Sequence, residues 1–197
     1  MKPDSALTAF CIFLAGALAF GALLYTCQAK GSEQRGTLAA LRALPVFHAD
    51  RAPELADEKR AQLEAFATAI DRHATDKRVR AFLIAWGWHE SAFSLAITDG
   101  QCDRHQCDYS QRLKRHLASG AFQEHQNGRP DAEWSRLRGL ENIDHQVASA
   151  SRRARGFIGM CPTIEGAFRA LGGRGCDGRL PDAGKRVATY QRTLGRL

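Results

Sequence analysis

From Pro53 to its end the chain places apolar residues at intervals of three and four, and no run of any length alternates apolar with polar. Such intervals line up on one face of an α-helix, whereas a half-buried strand needs a period of two. Leu63, Phe66, Ala67 and Ile70 predict an amphipathic helix over roughly 54–73, and a second helix follows from about Asp76. Leu140, Ile143, Val147, Ala150 and Ala154 mark another. Ile164, Ala167, Phe168 and Leu171 carry the stripe of a further helix, with Pro162 at its first position and Gly172-Gly173 as its stop. Pro181 opens the last, with Val187, Tyr190 and Leu194 on one face and Gly195 past its end. Residues 98–115 lack periodicity and read as a loop-rich excursion. A short helical or turn segment around Leu117–His125 ends at Asn127-Gly128-Arg129-Pro130. The expected fold class is mainly α, without internal repeats. About 165 residues make one domain, long enough for a core of its own.

Ahead of that domain, Ala6–Cys27 contains no charged residue. A helix of this length crosses a hydrocarbon core of about 30 Å. A cleavable signal peptide has a shorter apolar region, so residues 1–29 read as a signal-anchor, with a signal peptide cut after Ala29 as the alternative. The Ala and Gly content leaves the segment only moderately hydrophobic, which allows a helix that leaves the membrane again. Residues 30–53, with Pro45 and Pro53, read as a tether holding a short helix around Thr37–Leu44; residues 54–197 form the domain.

Lys2 and Asp4 cancel, so the whole formal charge of +7 lies beyond residue 29. A basic domain seeks an anionic partner: nucleic acid, an anionic membrane surface or the bacterial cell wall. A nucleic-acid binder would interleave a basic stripe with aromatics, and none is found, so nucleic acid is not an expected partner. Clusters such as Lys77-Arg78-x-Arg80 and Arg152-Arg153-x-Arg155 read as solvated faces.

Two cysteines, Cys11 and Cys27, lie in the apolar segment. Cys102, Cys107, Cys161 and Cys176 lie in the domain, where four allow three pairings. The local one, Cys102–Cys107 with Cys161–Cys176, would pin two loops. An even number behind an export signal favours disulfides. It places the domain outside the cytoplasm: anchored in the inner membrane through residues 6–27 and facing the periplasm, released from that membrane, or exported. Cys102, His105 and Cys107, with His116 and His125 downstream, raise the question of zinc. Their spacing fits no C-x2-C half-site, so neither a metal nor another cofactor is expected.

The second helix carries the residue that fits its surroundings least. Val79, Leu83, Trp86, Glu90 and Phe93 are spaced four, three, four and three apart and share one helix face. Four are large and apolar; the fifth is a carboxylate. Burying an ionised carboxylate in such a stripe is costly unless it is paired or neutralised. Desolvation raises the pKa of a carboxyl, and one that stays protonated can donate to a leaving group. The other reading is structural: Glu90 pairs with an arginine, such as Arg80 or one from another helix, or sits at the helix edge.

Trp88-His89-Glu90-Ser91-Ala92-Phe93-Ser94 resembles the Glu-Ser-x-Phe motif of lytic transglycosylases and goose-type lysozymes, in the lysozyme-like superfamily. Three more segments follow in the family's order. Ser119-Gly120-Ala121-Phe122-Gln123 is similar to its Gly-Leu-Met-Gln segment, with Phe122 for the methionine. Glu165 to Gly173 is similar to the helix ending in Ala-Tyr-Asn-x-Gly, with Leu171-Gly172 where the Tyr-Asn would stand. Arg186-Val187-Ala188-Thr189-Tyr190 is similar to the closing helix with its Tyr-Val pair. The resemblance covers about residues 60–195.

It implies a lysozyme-like catalytic domain, a bacteriolytic glycosidase acting as a monomer without a cofactor. The bond cut would be the β-1,4 link between N-acetylmuramic acid and N-acetylglucosamine of peptidoglycan. Glu90 would be the general acid. Asp99, nine residues on at the Glu-x8-Asp spacing of phage lysozymes, is the candidate second carboxylate for a hydrolase, with Asp103 and Asp108 as further options. Without a second carboxylate Glu90 turns base and a 1,6-anhydro sugar results. Ser91, Phe122, Gln123 and Tyr190 are the expected substrate-binding residues, with Ser91 also able to support the helix. His125 either lines the cleft or is a solvated loop histidine. The alternative function is a catalytically silent peptidoglycan-binding or secretion-apparatus accessory protein.

Overall fold

Helix α3 (Lys77–Ser91) is the axis on which the other elements pack, in a computed structural model that describes residues 36–101 and 109–197. Asp76 starts α3 by accepting the backbone N–H of Arg78 at 2.8 Å, which satisfies one of the donors a helix N-terminus leaves open. Every residue from Val79 to Gly87 is buried. The stripe seen in the sequence is therefore only one side of a helix that is covered all round. Before it come helix α1 over 36–42, two 3-10 turns (His48–Arg51 and Pro53–Leu55) and α2 (Ala56–His73). After it come α4 (Leu95–Thr98), two small hairpins, α5 (Asp131–Ser135), α6 (Ile143–Met160), α7 (Ile164–Leu171) and α8 (Ala183–Leu194). Helices α6 and α8 lie against α3, α2 lies against α6, and α7 touches both α6 and α8. The described residues are mainly α, as the periodicity requires.

An aromatic cluster joins these elements. Phe82 of α3 stacks on Phe168 of α7 with ring centroids 4.2 Å apart. Trp86 meets Phe122 edge-on at 5.3 Å, and Phe66 of α2 meets Phe93 at 4.8 Å. Each such pair adds about 0.5–1.5 kcal/mol to the burial of the rings themselves.

Phe93 is not the last member of the α3 stripe. The helix ends at Ser91, and Ala92 and Phe93 both take left-handed conformations at φ 51°. Neither is glycine, so the turn carries strain of about 1–2 kcal/mol per residue that its surroundings must offset. It folds the Phe93 ring back beside Gly87, where an added Cβ would stand 2.5 Å from the ring. A glycine in mid-helix is thus explained by what packs on it.

Other boundaries shift for local reasons. Pro53–Leu55 form a 3-10 turn, so α2 begins at Ala56. Pro162 is not the first residue of α7: Thr163 is the cap, its hydroxyl accepting the N–H of Gly166 at 3.0 Å. Asp182 likewise stands between Pro181 and the start of α8 at Ala183. The helical or turn segment expected at Leu117–His125 is an antiparallel hairpin, β3 (Ala118–Ser119) with β4 (Glu124–His125). A similar one, β1 (Tyr109–Ser110) with β2 (Arg115–His116), precedes it. Two-residue strands are too short for alternation to show.

Residues 36–53, expected as a tether, pack on the domain: Thr37, Ala40, Leu41 and Asp50 are buried. Cys161 and Cys176 form a disulfide that ties the end of α6 to the loop after α7. Cys102, Cys107 and residues 6–27, expected as a membrane segment, lie outside the described residues. Among the described residues no helix is long and apolar enough to cross a membrane.

Candidate active site

Glu90 sits in the last turn of α3, where the helix leaves the core. Gly87 is buried, while Trp88, His89 and Glu90 are half-buried. The Glu90 side chain is 27% exposed, and its Oε1 accepts from Nη1 of Arg186 at 2.6 Å. Arg186 comes from α8 and is nearly buried; its Nε donates to Asp182 Oδ2 at 2.7 Å. One guanidinium therefore joins a carboxylate on α3 to another at the start of α8. Burial works against the charge of Arg186, but Glu90 and then Asp182 outweigh it and hold its pKa above the usual value. Beside it, His89 Nε2 is hydrogen-bonded to the Thr189 hydroxyl at 3.0 Å. Burial, and after it the positive charge of Arg186, lowers the His89 pKa. Two side chains of α8 thus grip the turn that presents Glu90.

This is not the unpaired carboxyl in an apolar stripe that the sequence suggested. The pairing with an arginine from another helix is the one found. Arg80, the nearer candidate in sequence, is buried elsewhere and donates to the carbonyls of Ala74 and Thr75.

The β3–β4 hairpin faces Glu90 because the backbone at its tip is held on both sides. Ser91 Oγ donates to the Ala121 carbonyl at 2.7 Å, and the Ala121 N–H donates to Gln146 Oε1 at 2.9 Å. Gly120, at φ 72°, passes so close to α6 and the preceding loop that a Cβ would lie 1.9 Å from the Leu137 carbonyl. A side chain at position 120 would collide with that carbonyl, so the turn requires glycine there. Phe122 and Gln123 follow it into the cleft, Gln123 in a left-handed conformation at φ 45°.

The result is a cleft of about 400 Å³. Trp86 and Glu90 of α3 line it, with Phe122, Gln123, His125 and Asn127 from the hairpin and the turn after it. Arg153 of α6 and residues 170–173 at the end of α7 complete the lining. A second cavity, lined among others by Arg115, shares His125 and Asn127 with the first.

The structure brings Glu90, Phe122 and Gln123 together, and His125 lines the cleft with them. Three expected residues are elsewhere. Ser91 is buried and accepts the Phe93 N–H while donating to Ala121, so it joins the Glu90 turn to the hairpin and does not reach the cleft. Tyr190 is buried in the core between α8 and its neighbours. Asp99 accepts from the Leu140 N–H at 3.2 Å and from Gln101 at 2.6 Å, which ties the end of α4 to the turn before α6. It does not line the cleft. Asp103 and Asp108 lie outside the described residues. Among the described residues Glu90 is the one carboxylate that lines this cleft.

Arg186 and Arg153 were not legible as site residues. The i,i+4 spacing of Asp182 and Arg186 is the one sequence trace of the first, and it points along α8, not toward Glu90. Chemically, the site offers a carboxyl with Oε1 bonded to Arg186 and no described hydrogen bond on Oε2. Two aromatic rings, a glutamine and a guanidinium line the same cleft. Comparison with known protein families, with curated proteins and with solved structures finds no match to the chain.

Proposed function

We propose that the chain cuts the MurNAc-β-1,4-GlcNAc bond of peptidoglycan with Glu90 as a single acid and base, in the manner of a lytic transglycosylase. The observation that carries the reading is the cleft itself. The glutamate of the first motif and the Phe122-Gln123 pair of the second line one cavity, and no second described carboxylate lines it. Apolar rings beneath polar side chains suit a sugar, which has apolar faces and a polar rim.

For Glu90 to act as the acid, Oε2 must first take up a proton while Oε1 stays hydrogen-bonded to Arg186, and that proton then goes to the glycosidic oxygen. The C1–O bond breaks and positive charge develops at C1. The carboxylate then takes the proton of the muramyl 6-hydroxyl as that oxygen attacks C1, and Glu90 returns to its starting form. Two-carboxylate hydrolysis would instead need a second group, either a base for water on the opposite face or a nucleophile for a covalent intermediate. Trp86 and Phe122 exclude water from behind the carboxyl, and Gln123 is placed to hold an acetamido group. Anchored through residues 6–27 and facing the periplasm, the basic domain would stay beside an anionic polymer.

Mass spectrometry of sugars released from purified peptidoglycan tests this. Products lighter by one water mean transglycosylase; reducing ends mean hydrolase. Glu90→Gln is expected to release nothing while still folding, its amide oxygen keeping the Arg186 hydrogen bond, and full activity in that variant rejects the assignment. The Glu90–Arg186 ion pair favours a second reading, a silent wall-binding or secretion-apparatus accessory module in which the carboxylate is structural. An undigested substrate that the protein still binds would establish it.

A further inference from the structure

Bond cleavage leaves one charged cleft residue without a task. Arg153 projects from α6 with its guanidinium carbon 5.6 Å from the Trp86 ring centroid and 5.7 Å from that of Phe157. Its Nη1 reaches Oε2 of the buried Glu124 at 3.3 Å. That oxygen already accepts from Arg129 at 2.6 Å and from Ser149 at 3.1 Å. Arg153 is therefore the most distant of three donors to one atom. Its partner's charge is met first by Arg129, which also lies 3.7 Å from Glu133. A guanidinium has five N–H groups, and Arg153 uses one of them among the described residues.

A guanidinium within 6 Å of two aromatic ring centres, partly desolvated and with donors to spare, suits a planar carboxylate better than a hydroxyl. Within the cleft the one described carboxylate, Glu90, is taken by Arg186. An anion for Arg153 must then arrive with the substrate. N-acetylglucosamine is neutral. N-acetylmuramic acid bears a lactyl ether whose carboxyl is free when the stem peptide is gone and amidated when it is present, and the stem has carboxyls of its own.

We propose that Arg153 is a specificity residue that binds a carboxylate substituent of the glycan strand. The assignment rests on the reading of this cleft as a glycan site. If the lactyl carboxylate is the ligand, the strand must first lose its peptide, so an amide-hydrolysing reaction would supply the substrate.

The full-length Glu90→Gln protein, expected to bind without cutting, provides the test. Four tetrasaccharides are titrated: alternating GlcNAc-MurNAc with free lactyl carboxyls, the same with those carboxyls as primary amides, a peptide-bearing form, and all-GlcNAc. The free acid is expected to bind about tenfold more tightly than the amide, as one charge-assisted contact would give. Arg153→Gln in the same background removes that preference, and Arg153→Lys keeps part of it. Tightest binding by the peptide-bearing form, lost when its stem carboxyls are amidated, identifies the stem as the source. Equal binding of acid, amide and all-GlcNAc, or a preference that survives Arg153→Gln, overturns the role of Arg153 and leaves the glycan reading standing. Binding of none of the four overturns the glycan reading as well. The ligand comparisons use a protein that keeps Arg153, so they do not hang on the folding of an Arg153 variant.

Discussion

A guanidinium shared between Glu90 and Asp182 does two things for the last turn of α3. It fixes Oε1, so the carboxyl cannot swing between rotamers, and it joins α8 to the turn. Arg186→Met removes both effects and leaves two carboxylates without their donor. The pair is partly exposed, so the expected loss of stability is about 1–3 kcal/mol, less than for a fully buried pair. The expected loss in kcat is about 10–100-fold, the scale set by a misplaced reacting group. Arg186→Lys should fall between, because one ammonium cannot reproduce a fork that spans two carboxylates. Steady-state kinetics beside thermal melts separates the two losses; a variant that melts early but turns over normally would make Arg186 structural only. His89, on the same turn, supplies a pH test. Its folded pKa is depressed, first by burial and then by Arg186, below the ordinary value of 6.5. The unfolded chain therefore takes up a proton that the fold refuses. Stability from His89 is complete above pH 6.5 and is lost as the pH falls below it. The melting temperature should drop from pH 7 to pH 5, and the drop should be smaller in His89→Gln.

At the scale of elements, the Cys161–Cys176 bridge encloses α7 and with it the 170–173 wall of the cleft. A bridge closing a loop of this size contributes about 3 kcal/mol. For a chain of this length, the double variant Cys161→Ser, Cys176→Ser should melt roughly 6–12 °C lower. If the cleft cuts glycan as proposed, loosening this part of its lining should raise KM for glycan more than it lowers kcat. An unchanged KM would show that the end of α7 keeps its place through packing with α6 and α8 alone. The same elements show what the sequence could convey. Helices were legible where a stripe faces a core, as with Ile143, Val147, Ala150 and Ala154 of α6, all buried. Glu90, Phe122 and Gln123 were expected together from segments that resemble a family's motifs, and they line one cleft. The turn at Ala92-Phe93 was not, because neither residue type favours a left-handed conformation and a periodic pattern runs straight through it. The Glu90–Arg186 contact spans 96 positions and is made by α3–α8 packing, which no local spacing records. Asp99 and Tyr190 were misplaced for the same reason: a helix period fixes a face, but not which neighbour that face meets.

The whole molecule depends on a segment that its composition presented as a connector. Leu41 of α1 is 1% exposed, and Asp50 is buried with its carboxylate on three groups of the domain. It accepts from Lys59 at 3.0 Å, from the Leu95 N–H at 3.0 Å and from the Ser94 hydroxyl at 3.4 Å. Lys59 in turn donates to Gln62 and to the carbonyl of Phe93, the second residue of the strained turn after Glu90. Burial pushes the Lys59 pKa down, and the bond to Asp50 and its charge push back. Such a pair holds only while both members are present. A chain starting at residue 54 would lose Leu41, worth about 2–5 kcal/mol. It would also strand the Lys59 ammonium in the interior, worth about 3–5 kcal/mol more. Against a total stability of about 5–15 kcal/mol for a domain, that loss is enough to unfold it or leave the Glu90 turn unsupported. A chain starting at residue 36 keeps both contacts and should melt cooperatively, as circular dichroism would show. A smaller change isolates the buried pair from the apolar loss. Asp50→Asn keeps α1 in place but removes the charge opposite Lys59, so it should destabilise by several kcal/mol. Lys59→Met with Asp50→Asn should recover part of that, because no unpaired charge remains inside. Additive losses in the double variant would place the role of residues 36–53 in the apolar face of α1 instead of in the pair that braces the Glu90 turn.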